Sequence, residues 1–245
     1  MKEILTFHSI IWDTALITPE TQGKIPLLID QDGKSNSNIT DLPEPELIRF
    51  LMANIQVRSF IFRELGMPYN AFYRDSVAKP VIDNPNKKPG DVDLLICDKV
   101  NPHQSVAIEG KRIKVATLNE QDEIVSKLDG QNVIEGVKQA KGLRNLGFYN
   151  SYLALLVETD GRNRKECNTL SRHLNNGTLK KLYDFPYRDK LYQEIGIIII
   201  EIVHPTNKNY SGMSQVNVCI VKGATPLEQP VILTNKISLL LNPVI

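Results

Sequence analysis

The sequence predicts an α/β protein in which a central mixed β-sheet is flanked by helices. Two stretches, "EPELIRFLMANIQVRSFIFREL" and "GQNVIEGVKQAKGLRNLG", carry apolar residues at the spacing of an amphipathic helix. Between and after them lie short apolar runs such as "DLLIC", "YLALLV" and "IGIIIIEIV", which are typical of buried strands. With 245 residues, of which 42% are hydrophobic, the chain can bury a sizeable core. Helices that alternate with buried strands indicate the α/β class.

The elements can be placed in order along the chain. Residues 1–43 hold two extended apolar runs, Ile4–Ile17 and Ile25–Ile29, whose role the sequence leaves open. The first helical stretch predicts one helix, with Pro45 near its start and Gly66 just past its end. The next elements are a strand in "NAFYRDSV", a loop in "NPNKKPG", strands at about 90–97 and 105–115, the second helix with its stop at Gly147, and a strand in "SYLALLVETD".

The remaining chain adds elements to what we expect to be one domain, 1–245. No repeat and no long Pro/Gly-rich linker marks a boundary, so the domain has a core at 44–158 with elaborations at 1–43 and 159–245. The elements expected after the core are a helix around Lys165–Leu174, a strand at Ile195–Val203, and strands near 215–222 and 230–241.

The amino-acid composition indicates the cellular compartment of the protein and the kinds of partner that it can bind. The net charge is +1, so no overall electrostatic field indicates a nucleic acid or an anionic membrane, and any basic surface must be local. The three cysteines lie far apart without a CxxC pair, which suits a reducing compartment. The N-terminus does not resemble a signal peptide, and the longest apolar run is too short for a membrane helix. We therefore expect a cytoplasmic protein with no membrane partner.

Ionisable residues interrupt the apolar strands of "KKPGDVDLLICDKVNPHQSVAIEGKRIKV". Because side chains alternate along a strand, Asp91 and Asp93 share a face of their strand, and Glu109 and Lys111 share a face of the next, so that pairing of the strands would bring the four groups to one side. If the two strands pair antiparallel around Asn101, opposed residues have numbers that sum to about 202. This register predicts that Asp93 lies opposite Glu109 and Asp91 opposite Lys111.

Two opposed carboxylates repel each other, and partial burial increases the cost. Lys111 supplies one positive charge. A hard divalent cation would remove the repulsion more completely, because Mg²⁺ is bound by one or two carboxylates together with waters and phosphates. The pattern therefore favours a metal site, with Mg²⁺ as the expected cofactor and Mn²⁺ as its substitute.

The same residues resemble the PD-(D/E)xK nuclease superfamily, also called restriction-endonuclease-like. An Asp in "GDVDLLI" is followed on the next strand by E-x-K in "IEGKRI", and the proline of the motif is displaced to Pro89. The predicted order of elements in 44–158 is similar to the αβββαβ core of that superfamily. The resemblance implies a metal-dependent endonuclease that hydrolyses DNA phosphodiester bonds, in restriction, defence or repair.

The resemblance also implies roles for individual residues. Asp93 and Glu109 would bind the metal, the carbonyl of Gly110 could add a ligand, and Lys111 would activate water or offset charge at phosphorus. A further acidic residue from the first helix is Glu46, although Glu46 and Glu64 both also fit a solvated helix face. The role of Asp91 stays open.

The second helix is expected to approach the substrate. Gln139 is the candidate for a catalytic role, because its neutral amide can hydrogen-bond both a water and a phosphate oxygen. Lys138, Lys141 and Arg144 recur every three residues and could bind DNA phosphates. An ordinary amphipathic helix with its cations in water is the alternative.

Two other interpretations remain at this point. The acidic residues and Lys111 could form a cross-strand salt-bridge set on a solvent-facing sheet. The protein could also be a non-catalytic nucleic-acid-binding or assembly subunit that keeps the nuclease fold. A homodimer or a partner subunit stays open in either case.

Overall fold

The structure, a computed structural model, describes residues 6–13, 43–78, 91–115, 130–159, 191–203 and 213–242. The strands in this part of the chain are β1 Thr6–Asp13, β2 Phe72–Val77, β3 Val92–Cys97, β4 Ser105–Val115, β5 Asn150–Thr159, β6 Gly196–Val203 and β7 Met213–Lys222. The helices are α1 Glu44–Ala53, α2 Ile55–Glu64, α3 Gly130–Leu146 and α4 Val231–Leu241.

The seven strands form one mixed sheet in the order β1-β7-β6-β5-β4-β3-β2. The three central strands β4, β5 and β6 are parallel, and every other neighbouring pair is antiparallel. Helix α3 connects the parallel strands β4 and β5, as parallel neighbours require. The predicted α/β class with a central mixed sheet is confirmed.

Helices cover both faces of the sheet. Helices α1 and α2 pack on one face, against apolar side chains such as Leu94, Ile108 and Ala154. Helix α3 packs on the other face against residues such as Leu153, and α4 extends that layer over β3. The central strands are apolar on both sides because both sides are covered.

The single helix predicted from Pro45 to Gly66 is wrong in one respect, because the structure divides it at Asn54. This residue has an extended backbone, with φ −75° and ψ 115°, and its side-chain oxygen accepts the N–H groups of Gln56 and Val57. Asparagine is among the preferred residues at a helix start. Gly66 ends the second helix in a left-handed conformation, with φ +70°.

The strand predicted near 230–241 is also wrong, because this segment is helix α4. Pro230 begins the helix, and Leu233 and Ile237, four residues apart, are buried beneath it. These two side chains pack in one cluster with Leu143 and Phe148, so tertiary contacts select the helical period for a segment whose apolar residues fit either structure.

Several expectations lie outside the described residues: the loop "NPNKKPG", the helix around Lys165–Leu174 and the apolar run Ile25–Ile29. Part of the earlier apolar run forms the edge strand β1. No helix in the described part of the chain is long and apolar enough to cross a membrane.

One buried amide ties the β3–β4 turn to α4. Gln229 is 7% exposed, and its Nε2 donates to the Pro102 carbonyl at 3.0 Å and to the Thr234 hydroxyl at 2.9 Å. Its Oε1 accepts from the Ser105 hydroxyl and from the Tyr149 N–H. Three segments, the β3–β4 connection, the start of β5 and α4, therefore depend on one side chain for these hydrogen bonds.

We expect Gln229→Ala to lower the free energy of unfolding by about 3 kcal/mol, because it leaves several buried polar groups without partners. The neighbouring substitution Glu228→Ala, at an exposed side chain, should change it by less than about 0.5 kcal/mol. Urea unfolding of the two variants measures the difference. Equal stabilities would show that water replaces the amide at no cost.

Candidate active site

The β3–β4 hairpin has the predicted register. The paired residues run from Leu94 opposite Ile108 to Cys97 opposite Ser105, and every pair sums to 202. The ladder stops at Leu94, although β4 continues to Val115 and stays paired with β5 on its other side. The two strands therefore separate just before Asp93 and Glu109 would face each other.

Asp93 lies where the pairing of β3 is interrupted on both sides. The β2–β3 ladder pairs Asp75 with Leu94 and Val77 with Val92, so the intervening pair, Ser76 and Asp93, is missing. Ser76 has φ 52°, a left-handed conformation that costs free energy in a residue other than glycine. The strained backbone of Ser76 on β2 therefore lies next to Asp93, where the regular strand pairing of β3 is lost.

Carboxylates take the hydrogen bonds that β3 no longer provides to β4. The Gly110 N–H donates to Asp93 Oδ2 at 2.7 Å, and the Arg112 N–H donates to Glu44 Oε2 at 2.8 Å. Glu44 is the first residue of α1, which covers the face of the sheet opposite to α3. Its side chain reaches the gap between β3 and β4 from that face. Unpaired backbone N–H groups inside a protein need acceptors, so the strand separation holds two carboxylates in place.

Lys111 connects the acidic residues. Its Nζ lies 2.7 Å from Glu109 Oε1 and 3.1 Å from Glu44 Oε1. Glu109 is only 1% exposed, and its second oxygen, Oε2, has no hydrogen-bond partner among the described residues. In the described part of the chain, the Lys111 ammonium thus contacts the carboxylates of Glu44 and Glu109, and its charge also acts on Asp93.

This arrangement shifts the pKa values of both central carboxylates upward. Burial, followed by the charge of Asp93, raises the pKa of Glu109 to about 9, although Lys111 opposes the change. Burial also raises the pKa of Asp93 to about 6, against the hydrogen bond from Gly110 and the charge of Lys111. For Glu109 this corresponds to about 6 kcal/mol against the ionised form, so desolvation outweighs the ion pair.

Lys111 remains an ammonium at neutral pH. Burial alone would lower its pKa, but the carboxylates of Glu109, Glu44 and Asp93 outweigh that effect and raise it. A lysine held in its charged form cannot accept a proton from water. Its chemical contribution is therefore positive charge and hydrogen-bond donation.

The interpretation of a salt-bridge set on a solvent-facing sheet is wrong about exposure. The ion pair between Lys111 and Glu109 exists, but Glu109 is fully buried under the layer formed by α3. Asp91 precedes β3 and is exposed, and its charge contributes to the raised pKa of Asp93. Buried ionisable groups with shifted pKa values are typical of functional sites, whereas exposed pairs are not.

The acidic residue that α1 contributes to this cluster is Glu44, which the sequence reasoning missed. Glu46 lies half-buried in the same helical turn, and its role as a metal ligand stays a prediction. Glu64, the other residue considered, contacts Arg63 on α2. An acidic residue at a helix start is so common that only the tertiary contact distinguishes Glu44.

Helix α3 meets the cluster through a glycine. The backbone of Gly136 packs against the side chain of Lys111, and Gln139, half-buried, lies one turn further along the helix. The three cations of this helix have other contacts: Lys138 pairs with Glu135, Lys141 lies 4.6 Å from the centre of the Tyr192 ring, and Arg144 donates to the Thr225 carbonyl. The structure thus brings Asp93, Glu109, Gly110 and Lys111 together without these cations.

The donor set fits a hard cation that keeps several waters. Glu109 offers a buried carboxylate oxygen without a hydrogen-bond partner, and Asp93 lies close enough for its charge to act on Glu109. In the described ranges no three His, Cys, Asp or Glu side chains form a group that could hold a metal ion. These residues would therefore offer a hard cation such as Mg²⁺ two carboxylates and would leave its other positions to water.

Comparison of the chain with models of known protein families, with curated proteins and with solved structures found no match. The geometry of the cluster is therefore the basis on which we infer its function.

We expect the stability of the metal-free protein to fall as the pH rises from 4.5. The folded state holds a proton on Glu109 that the unfolded chain releases between pH 4.5 and about 9. Glu109→Gln removes the proton that is released on unfolding. Between pH 4.5 and 7, the free energy of unfolding of the variant should therefore rise by about 3 kcal/mol relative to that of the original protein.

Urea unfolding across this pH range in EDTA measures the change. Glu194→Gln, the same substitution at an exposed side chain, should follow the original protein. Parallel pH profiles for Glu109→Gln and the original protein would show that Glu109 is ionised in the folded state.

Proposed function

We propose that the protein is a metal-dependent endonuclease that hydrolyses DNA phosphodiester bonds with Mg²⁺ as its cofactor. The observation that carries the proposal is the buried carboxylate of Glu109, which lies among half-buried Glu44, Asp93 and the Lys111 ammonium. The excess of carboxylates in this described part of the chain has a direct chemical use, because it would attract a divalent cation, and the cation would in turn attract a phosphate of the substrate.

The order of elements supports the proposal. Between residues 44 and 159 the chain forms a divided helix, three antiparallel strands, a helix and a parallel strand. This order of the described elements is similar to the αβββαβ core of the restriction-endonuclease-like superfamily that the motif resembles. Asp93 and the E-x-K residues lie at the point where β3 and β4 separate, so substrate could approach the gap between the strands.

Asp93 and Glu109 would hold the Mg²⁺, with the Gly110 carbonyl as a further ligand. When bound, the ion supplies Lewis-acid polarisation of the phosphate and lowers the pKa of a water molecule. The residues of the protein orient these ligands and control their contact with water. The hydrogen bond from the Gly110 N–H orients the Asp93 carboxylate, and burial excludes competing water from Glu109.

Lys111 acts on the phosphate through its charge. Negative charge accumulates on the phosphoryl oxygens in the transition state, and a fixed ammonium nearby stabilises that charge without reorganisation. Its contacts with Glu44 and Glu109 limit the positions that Nζ can occupy. Glu44 is thus a positioning residue for Lys111, and its own carboxylate adds to the negative field that attracts a cation.

DNA binding beyond the scissile phosphate is assigned to α3. Lys138 is exposed and pairs with Glu135 on the helix surface, whereas Lys141 and Arg144 are half-buried and contact Tyr192 and the Thr225 carbonyl. Lys138 is therefore the cation most accessible to a phosphate, and the other two could contact DNA only by sharing or exchanging these partners. The resemblance of the motif to the nuclease superfamily further suggests a role in restriction, defence or repair.

We expect Asp93→Ala, Glu109→Ala and Lys111→Ala each to reduce Mg²⁺-dependent cleavage of DNA by at least about 100-fold, because each removes a ligand or the charge at phosphorus. Lys99→Ala, at an exposed turn, is the matched lysine control and should cut like the original protein. The assay uses plasmid, linear and single-stranded DNA with Mg²⁺, Mn²⁺ or EDTA.

Cleavage by purified Glu109→Ala at the original rate would contradict this assignment of the site. Metal-insensitive DNA binding without cleavage by the original protein would favour the alternative, a nucleic-acid-binding or assembly subunit that has lost turnover.

A further inference from the structure

Gly136 is an unexpected residue at its position in α3. It lies in the interior of a 17-residue helix and is buried. Glycine in a helix interior is less favourable than alanine, because its backbone loses more conformational freedom on folding. Some tertiary contact should therefore exclude a larger side chain at this position.

The excluded space is occupied by Lys111. A Cβ atom at position 136 would lie 2.4 Å from Lys111 Cγ and 3.1 Å from Leu153 Cδ1. The first distance is far below van der Waals contact, so the lysine would have to move. Because Cγ is close to the strand backbone, moving it redirects the whole side chain and not only its flexible end.

The far end of the same side chain is also restricted. The Nζ atom lies between Glu109 Oε1 at 2.7 Å and Glu44 Oε1 at 3.1 Å. A lysine that is displaced at Cγ cannot keep both contacts without rearranging other bonds. The helix surface at Gly136 and the two carboxylates thus define one path for the side chain.

We propose that Gly136 is the positioning residue that allows Lys111 to reach the acidic cluster, by leaving room for its methylene chain between α3 and β4. The kinetic consequence rests on the proposed nuclease function, whereas the packing consequence does not. The two can be tested separately.

A double-mutant cycle in thermal unfolding tests the packing. In the presence of Lys111, Gly136→Ala should lower Tm, because the new methyl group collides with Cγ. In a Lys111→Ala background the collision is gone, and the same change should raise Tm by about 2 to 4 °C through the helix propensity of alanine. Lys111→Gly provides a second background without a γ atom if Lys111→Ala does not fold.

The cycle has two results that would overturn the proposal. A gain in Tm in both backgrounds would mean that Lys111 adapts freely to a larger residue. An equal loss in both would mean that Leu153, and not Lys111, excludes the side chain. Gly223→Ala, where a Cβ meets no atom within 4 Å, controls for the general effect of replacing a glycine.

The kinetic test compares Gly136→Ala with the original protein in Mg²⁺-dependent cleavage. If Lys111 is displaced from the phosphate, kcat should fall by about 100-fold while KM for DNA changes little, because the residue acts on the reaction and not on DNA affinity. A proportional rise in KM with kcat unchanged would contradict a positioning role. If the original protein does not cleave DNA, the nuclease proposal fails, and the unfolding cycle still decides the role of Gly136.

Discussion

The structure around the candidate site depends on the burial of the Glu109 carboxylate. It is 1% exposed on a central strand, and the described cation in contact with it, Lys111, also contacts Glu44 and is influenced by the charge of Asp93. Attraction to one ammonium does not offset the loss of hydration, so the pKa of Glu109 rises to about 9. A fold that was selected for stability alone would more readily place an apolar residue here. The retained carboxylate is the main physical reason for assigning chemistry to this position.

The surrounding backbone is arranged so that these side chains can meet. The β3–β4 ladder ends at Leu94, and the N–H groups of Gly110 and Arg112 then depend on carboxylates from β3 and α1. Glycine makes the close packing possible, since a Cβ at Gly110 would lie 2.8 Å from Ile48 Cδ1 in α1. The E-x-K segment is therefore enclosed by α1 on one side and α3 on the other.

Much of this arrangement could be predicted from the sequence because it follows from local patterns. Strand alternation and the turn near Asn101 specified the register of the hairpin, and the pairing of Leu94 with Ile108 confirms it. The sequence could not identify Glu44, because its role depends on where α1 packs, and it gave no sign that Gly136 meets Lys111. Segment 230–241 illustrates the same limit: its apolar residues suit a strand or a helix, and packing against Leu143 and Phe148 selects the helix.

We propose that the carboxylates of Asp93 and Glu109 form a site for a divalent cation. Calorimetric titration of Mn²⁺ into the DNA-free protein at pH 7, in two buffers with different heats of ionisation, measures both binding and proton release. We expect saturable binding with release of about one proton, because Glu109 is protonated before the ion binds and must ionise to coordinate it. We also expect that proton release to be lost in Glu109→Gln. No saturable binding at millimolar Mn²⁺, or identical binding and proton release in Glu109→Gln, would show that these carboxylates do not bind the cation.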